Sequence, residues 1–217
     1  MAVVTRTLAT QTLPSLESGD RLSRDEFHRR YCKRTDIKKA ELVEGVVYVG
    51  GRVRADAHGE PHASMVGWLG VYHAFATGVR LATSATVRLD ARNEVQPDAI
   101  LFRDEPDGPR ISAADYIEGA PQLVVEVAAS SASYDLHDKK EAYRRNGVRE
   151  YVVWRTLDGA IDWFRLDPAE GEYERIAPDE RGMIESAVFP GLRLDVPKIL
   201  AGDLAGVLAG VRPRSEG

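Results

Sequence analysis

The chain is 217 residues long with 43% hydrophobic and 29% charged side chains, enough for one folded domain with a sizeable core. Its net charge of −5 argues against a surface that grips nucleic acid wholesale by counterion release, but it leaves room for a carboxylate metal site beside a local basic strip. A single cysteine, Cys32, excludes an intramolecular disulfide and a cysteine-based zinc site and suits a reducing, cytoplasmic setting.

In chain order, residues 1–20 read as a flexible arm, 21–212 as one domain and 213–217 as a polar tail. No secretory signal opens the sequence, and no apolar run approaches the roughly 20 residues that cross a bilayer. Residues 23–32 predict a short helix with Ser23 as N-cap and Asp25 and Glu26 in its first turn. Residues 40–51 predict a hairpin turning at Glu44-Gly45. Residues 61–76 predict a helix with Pro61 in the first turn and a stripe of Met65, Trp68, Leu69, Tyr72 and Phe75. Two strands, 78–90 and 94–102, precede a loop rich in Asp, Gly and Pro that runs to about residue 120. The apolar run at 121–129 predicts a strand covered on both faces. A helix at 133–148 capped by Asn146-Gly147 delivers the chain to another buried strand at 149–155. Segments 161–166 and 172–176 suggest an added hairpin, 177–195 looks irregular, and 197–210 predicts a terminal helix. This order implies an α/β fold with a mixed sheet flanked by helices.

Glu126 is the odd residue of its strand. Alternation puts Leu123, Val125 and Val127 on one face and Val124, Glu126 and Ala128 on the other, both apolar apart from the glutamate. An ionised carboxylate there is costly unless it is metal-bound or paired, for instance with an arginine. Asp98 opens the apolar strand that follows Pro97; it either caps a turn or joins Glu126 in holding a hard cation such as Mg²⁺. Asp135, Lys139 and Tyr143 recur every four residues and share a helix face. Asp135 and Lys139 then form either a plain ion pair or part of a face that aims the ammonium at the carboxylates. The five histidines lack the H-E-x-x-H spacing, Ser130-Ser131 has no nucleophile-elbow glycines, and there is no P-loop or dinucleotide fingerprint.

The segments ELVEGVVYV, PHASMVGWL, QPDAILF, LVVEV, SSASYDLHDKKEAYRRNGVREYVVW and FPGLRLD appear in an order that resembles the Uma-two family of putative restriction endonucleases, a branch of the PD-(D/E)XK nuclease superfamily. The likeness runs over about residues 23–195. It implies a restriction-endonuclease-like mixed sheet in which Asp98 and Glu126 bind Mg²⁺ or Mn²⁺ for hydrolysis of phosphodiester bonds in nucleic acid, DNA first. Ala128 stands where the superfamily motif carries lysine, and the resemblance assigns that role to Lys139, to orient the attacking water or stabilise charge. Glu41 becomes a third carboxylate of the site or an edge-strand acid, and His62 touches the site or caps its helix. Asp135 and Tyr143 are accessory candidates, while Arg144, Arg145 and Arg149 form either a phosphate-binding patch or a solvated face. Cutting both strands of a duplex suits a homodimer. The alternative is a catalytically inactive nuclease-fold module for binding or assembly, favoured by Ala128 and a pI of about 5.6.

Overall fold

The apolar segments LVVEVA and EYVVWR are buried along almost their whole length and pair in parallel, as strands covered on both faces do. They form the centre of a computed structural model that describes residues 15–51 and 54–211. Its first elements are α1 (Arg24–Tyr31), β1 (Ala40–Val43), β2 (Val46–Val49), α2 (Glu60–Phe75), β3 (Arg80–Thr83), β4 (Val87–Asp90), β5 (Asn93–Val95) and β6 (Ala99–Phe102). Short strands β7 (Arg110–Ile111) and β8 (Ile117–Glu118) lead to β9 (Leu123–Ala128), α3 (Ala132–Tyr134), α4 (Lys140–Arg145) and β10 (Glu150–Arg155). Then come β11 (Ala160–Leu166), β12 (Tyr173–Ile176), β13 (Met183–Glu185), β14 (Arg193–Asp195), α5 (Val196–Leu200) and α6 (Leu204–Ala209).

Among the described residues, one mixed six-stranded sheet runs β12-β11-β10-β9-β6-β3, and a second runs β2-β1-β5-β4-β8-β7. The first is the central sheet. One face packs against α2 through Met65, Trp68 and Leu69, which meet Leu101, Val125 and Val127. On the other face Ile100, Val124 and Tyr151 meet Ala142 and Tyr143 of α4 and Val43, Val87 and Val95 of the second sheet. The period-2 alternation expected for β9 therefore holds, with odd positions toward α2 and even positions toward α4.

Several local expectations are corrected. The strands expected at 78–90 and 94–102 each break in two, because the chain changes sheet between β3 and β4 and returns between β5 and β6. Ser84 makes the first corner in the left-handed region (φ 51°), and its N–H donates to the Pro97 carbonyl (3.1 Å), tying both corners together. The expected hairpin forms as β11–β12, and it joins the central sheet, β11 pairing with β10 over six residues. The stretch thought irregular contains the ribbon β13–β14, and the single terminal helix is two, divided at Gly202. Phe75, expected in the core stripe, is 76% exposed at the last turn of α2. Of the expected arm, residues 1–14 lie outside the described residues, as do 212–217. Leu16 is buried against Phe27, Leu42 and Val47, and the Gly19 N–H donates to the Val47 carbonyl.

Candidate active site

β6 and β9 run antiparallel with Ala99 opposite Val125 and Ile100 opposite Val124. One register step further sets Asp98 opposite Glu126, on the face shared with Ile100 and Val124. The Val127 N–H donates to Asp98 Oδ2 at 2.8 Å and fixes that carboxylate against β9. Both acids are buried, Asp98 to 5% exposure and Glu126 to 3%, at the base of a cleft of about 1070 Å³.

The remaining side chains arrive from two directions. On β1 the even positions Ala40 and Leu42 pack into the N-terminal cluster, so Glu41 faces the opposite way, toward the cleft. Its Oε1 accepts the Gln96 N–H at 2.7 Å, which anchors it to the corner before Asp98. From the helical side, α3 and α4 are joined by a π-helical turn, Asp135–Lys139, in place of the uninterrupted α-helix expected. Such turns re-aim side chains and recur at functional sites. Here the turn carries Lys139 inward. Its ammonium, 2% exposed, lies 2.7 Å from Glu126 Oε1, 3.1 Å from Glu41 Oε1 and 3.6 Å from Asp135 Oδ1. Tyr143 donates its O–H to the same Glu126 Oε1 at 2.9 Å. Ser131 donates to Asp135 Oδ2, and the Tyr151 O–H to the Asp135 carbonyl.

Sequence reasoning misses two side chains at the centre. Lys39 Nζ is 3.7 Å from Asp98 Oδ1, and His58 Nε2 is 3.3 Å from Asp98 Oδ2. Lys39 stands two residues before Glu41 and lines the same cleft, a period-2 signal that could have found it. His58 lies on a second π-helical turn, Ala55–Gly59, directly before α2, so the expected helix start at Pro61 hid it. Its four-residue spacing from His62 was the available clue; the two rings lie 5.7 Å apart. His62 lines the cleft and bonds through Nε2 to the Asp98 carbonyl at 3.1 Å.

Arg144, Arg145 and Arg149 lie off the cleft, each with a carboxylate partner. Arg144 bonds Glu141, Arg145 bonds Glu44 and Arg149 bonds Glu105. Lys140 lies over the Phe164 ring, away from Glu126.

Four carboxyl groups (Glu41, Asp98, Glu126 and Asp135) face two lysines in this buried volume, so acids outnumber ammonium groups. Burial pushes Glu126 up to about 8; Lys139 works against the shift, while Asp98, Asp135 and Glu41 add to it. Burial also opposes the charge on Lys139, but Glu126, Glu41 and Asp135 outweigh it and hold the ammonium protonated. The carboxyl, not the ammonium, is thus the group that titrates. With Oε1 taken by two donors, Oε2 is the oxygen left for a proton or a cation. For Asp98, burial raises the affinity for a proton, but the His58 bond, Lys39 and the Val127 N–H together keep it well below the usual carboxylate range.

A hard divalent cation takes oxygen ligands, and Mg²⁺ commonly uses only one or two carboxylates with water completing its shell. Asp98 and Glu126 fit that donor chemistry, and a cation would take the place of the proton that burial favours on Glu126. Among the described residues no three His, Cys, Asp or Glu side chains already converge as a preformed cage. The fit is to a two-carboxylate, water-rich site.

The family model Uma2, described as "Putative restriction endonuclease", matches residues 24–197. A search of curated proteins finds no match. Among solved structures, the chain is similar to a protein described as a putative nuclease belonging to DUF820 from Anabaena variabilis ATCC 29413. The TM-score is 0.59 at 15% identity, over 77% of this chain and 92% of that one, a likeness of fold.

Proposed function

Because the chain belongs to the Uma2 family, we propose that it is a divalent-metal-dependent endonuclease that hydrolyses phosphodiester bonds of nucleic acid, DNA first. The observation that carries this is the antiparallel register of β6 and β9, which brings Asp98 and Glu126 together at the base of a cleft with more carboxylates than cations. Asp98 and Glu126 would hold Mg²⁺ or Mn²⁺. When bound, the ion polarises the scissile phosphate and lowers the pKa of its water.

The chain's own groups supply the rest. Tyr143 and Lys139 fix the orientation of Glu126 through Oε1. Lys139 is placed to stabilise charge that develops on the phosphate, or to orient the attacking water. Val127 N–H and His58 hold Asp98 ionised at the pH of reaction. Lys39, half-exposed on the cleft wall, is placed to meet a phosphate.

Calorimetric titration with Mn²⁺ should show binding that Asp98→Asn and Glu126→Gln each remove, and the wild-type protein should nick supercoiled plasmid in Mg²⁺ or Mn²⁺. Binding of neither ion at millimolar concentration ends the proposal. The paired bonds from Lys139 to Glu126 and Glu41 favour one other function, a non-catalytic nuclease-fold module with the ammonium as permanent counter-ion. Wild-type protein that stays folded, binds no divalent ion and leaves every nucleic acid intact would select it.

A further inference from the structure

The proposed endonuclease activity leaves the form of the substrate open, and three features of the cleft bear on it. The first is depth. Asp98 and Glu126 sit buried at the base of a volume of about 1070 Å³, near the upper end of small-molecule sites at roughly 300–1,000 Å³. A short stretch of one strand can enter such a volume. Recognition of an intact duplex instead spreads over about 1,000–2,500 Å² of protein surface.

The second is charge. Duplex binding rests on many Lys and Arg contacts to phosphates. Lys39 and Arg54 line this cleft with Lys139 at its base, while Arg144, Arg145 and Arg149 are paired with Glu141, Glu44 and Glu105 outside it. The net charge of −5 adds no general attraction for a second backbone.

The third is an aromatic wall. Tyr48 and Tyr134 line the cleft with ring centroids 4.0 Å apart and planes tilted by 34°. Lys139 Nζ lies 5.6 Å from the Tyr134 ring, so the wall adjoins the carboxylate centre. Tyr134 carries a buried hydroxyl that finds no hydrogen-bond partner among the described residues. On the rim, Leu157 is 67% exposed at the tip of the β10–β11 turn, which Thr156 Oγ1 pins by donating to the Ala57 carbonyl at 2.7 Å. Aromatic rings and an apolar tip offer nothing to the outer phosphates of a duplex. Unpaired bases stack on such rings whatever their sequence.

We infer that the cleft takes unpaired nucleic acid, a single strand or an unpaired stretch whose bases stack on the Tyr48–Tyr134 wall while its backbone reaches Asp98 and Glu126. The inference rests on the nuclease reading for the identity of the ligand, but it can be tested without catalysis. Fluorescence anisotropy of the full chain in Ca²⁺ would compare a labelled 15-nucleotide DNA strand, the RNA of the same sequence, and the matching duplex. At least tenfold tighter binding of a single strand than of the duplex is expected, and a preference between the two strands assigns the sugar. Tyr48→Leu keeps apolar bulk but removes the stacking face, and should weaken single-strand binding roughly 5- to 100-fold with duplex binding unchanged. Duplex binding as tight as single-strand binding, a Tyr48→Leu effect below twofold, or no binding of any strand at tens of micromolar would overturn it. Single-strand preference without Mn²⁺-dependent cleavage would instead uphold the binding inference and remove the proposed catalysis.

Discussion

The Lys139 ammonium is bonded to Glu126 at 2.7 Å and to Glu41 at 3.1 Å, with all three side chains buried. One buried cation thus answers two carboxylates, with Asp135 close behind at 3.6 Å. Removing one member of a buried ion pair strands its partner in a poor solvent, at a cost of about 3–5 kcal/mol. Lys139→Ala should therefore lower the urea unfolding free energy by about that much in chelator. Mn²⁺ should restore part of it, because an ion that binds only the folded state stabilises by mass action. Unfolding curves with and without Mn²⁺ check both statements. No destabilisation in chelator would mean that the ammonium does not neutralise the cluster.

The titration of Glu126 sets a pH dependence of definite sign. Its folded value is pushed up from an ordinary 4.5 to about 8. Between those values the native state holds a proton that the unfolded state has lost, so this group's contribution to stability falls as pH rises through that window. Asp98 acts in the opposite sense: its contribution is present above the ordinary 3.8 and is lost in acid as pH falls through its depressed folded value. A cation on Glu126 must displace the proton, so Mn²⁺ affinity should rise between pH 6 and 8 and then level off. Calorimetry in buffers of different ionisation enthalpy would also detect proton release near pH 7. A pH-independent affinity would place the ion elsewhere.

Much of this centre could be read from residue order alone. Period-2 alternation in LVVEVA put Glu126 on the face opposite Val125, and Asp98 was marked as an acid opening another apolar strand; its place opposite Glu126 comes from the β6–β9 register. Lys139 and Tyr143 followed from four-residue spacing, which survives the π-helical turn because Tyr143 lies one regular turn beyond Lys139. Lys39 and His58 carried weaker signals, for local reasons. Lys39 precedes its strand by one residue, and His58 sits on a wound segment that helix signals do not mark. The split of the long strands depended on Ser84 taking a left-handed conformation, which serine does not advertise. The basic patch failed to reach the cleft because each arginine found a glutamate contributed by another turn of its helix or by a distant loop. The partners of Arg145 and Arg149 are set by tertiary packing.

Tyr143 offers a cleaner probe of carboxylate orientation than the lysine. Its hydroxyl is buried and donates to Glu126 Oε1 at 2.9 Å, and its ring packs at 4.9 Å from that of Tyr151. Tyr143→Phe keeps the ring and removes one donor to a group that becomes charged at high pH. The expected loss of stability is about 1–3 kcal/mol, larger at pH 9 than at pH 6. Cleavage should fall through kcat, with KM for nucleic acid unchanged, because the hydroxyl positions Glu126 and touches no substrate. An unchanged kcat would show that Glu126 keeps its place without it.

His58 should behave differently, since it stands at the cleft wall and bonds Asp98 from the open side. A single hydrogen bond contributes about 0.5–1.5 kcal/mol, so His58→Ala should lower the unfolding free energy by no more than about that. Asp98 would still have Lys39 and the Val127 N–H. Its affinity for Mn²⁺ and the pH profile of cleavage should shift all the same, because one of the groups holding the carboxylate ionised is gone. Stability lost without any shift in the profile would make His58 a packing residue.

Glu126→Gln separates the stability of this centre from its chemistry. The amide keeps the shape of the side chain and can still accept from Lys139 and Tyr143 through its oxygen, but it brings no charge to a buried volume that already holds Glu41, Asp98 and Asp135. Below pH 6 wild-type Glu126 is itself protonated, so the two proteins should unfold at similar urea concentrations. At pH 9 the wild type carries the extra anion, and the variant should be the more stable of the two while binding no Mn²⁺. That pattern, stability gained where a ligand is lost, is expected of a group kept for function at the expense of the fold. Unfolding midpoints at pH 6 and pH 9 in chelator decide it. If the variant is weaker at pH 9, then Lys139 needs the full charge of Glu126, and the excess of carboxylates is not a store of strain for a cation to relieve.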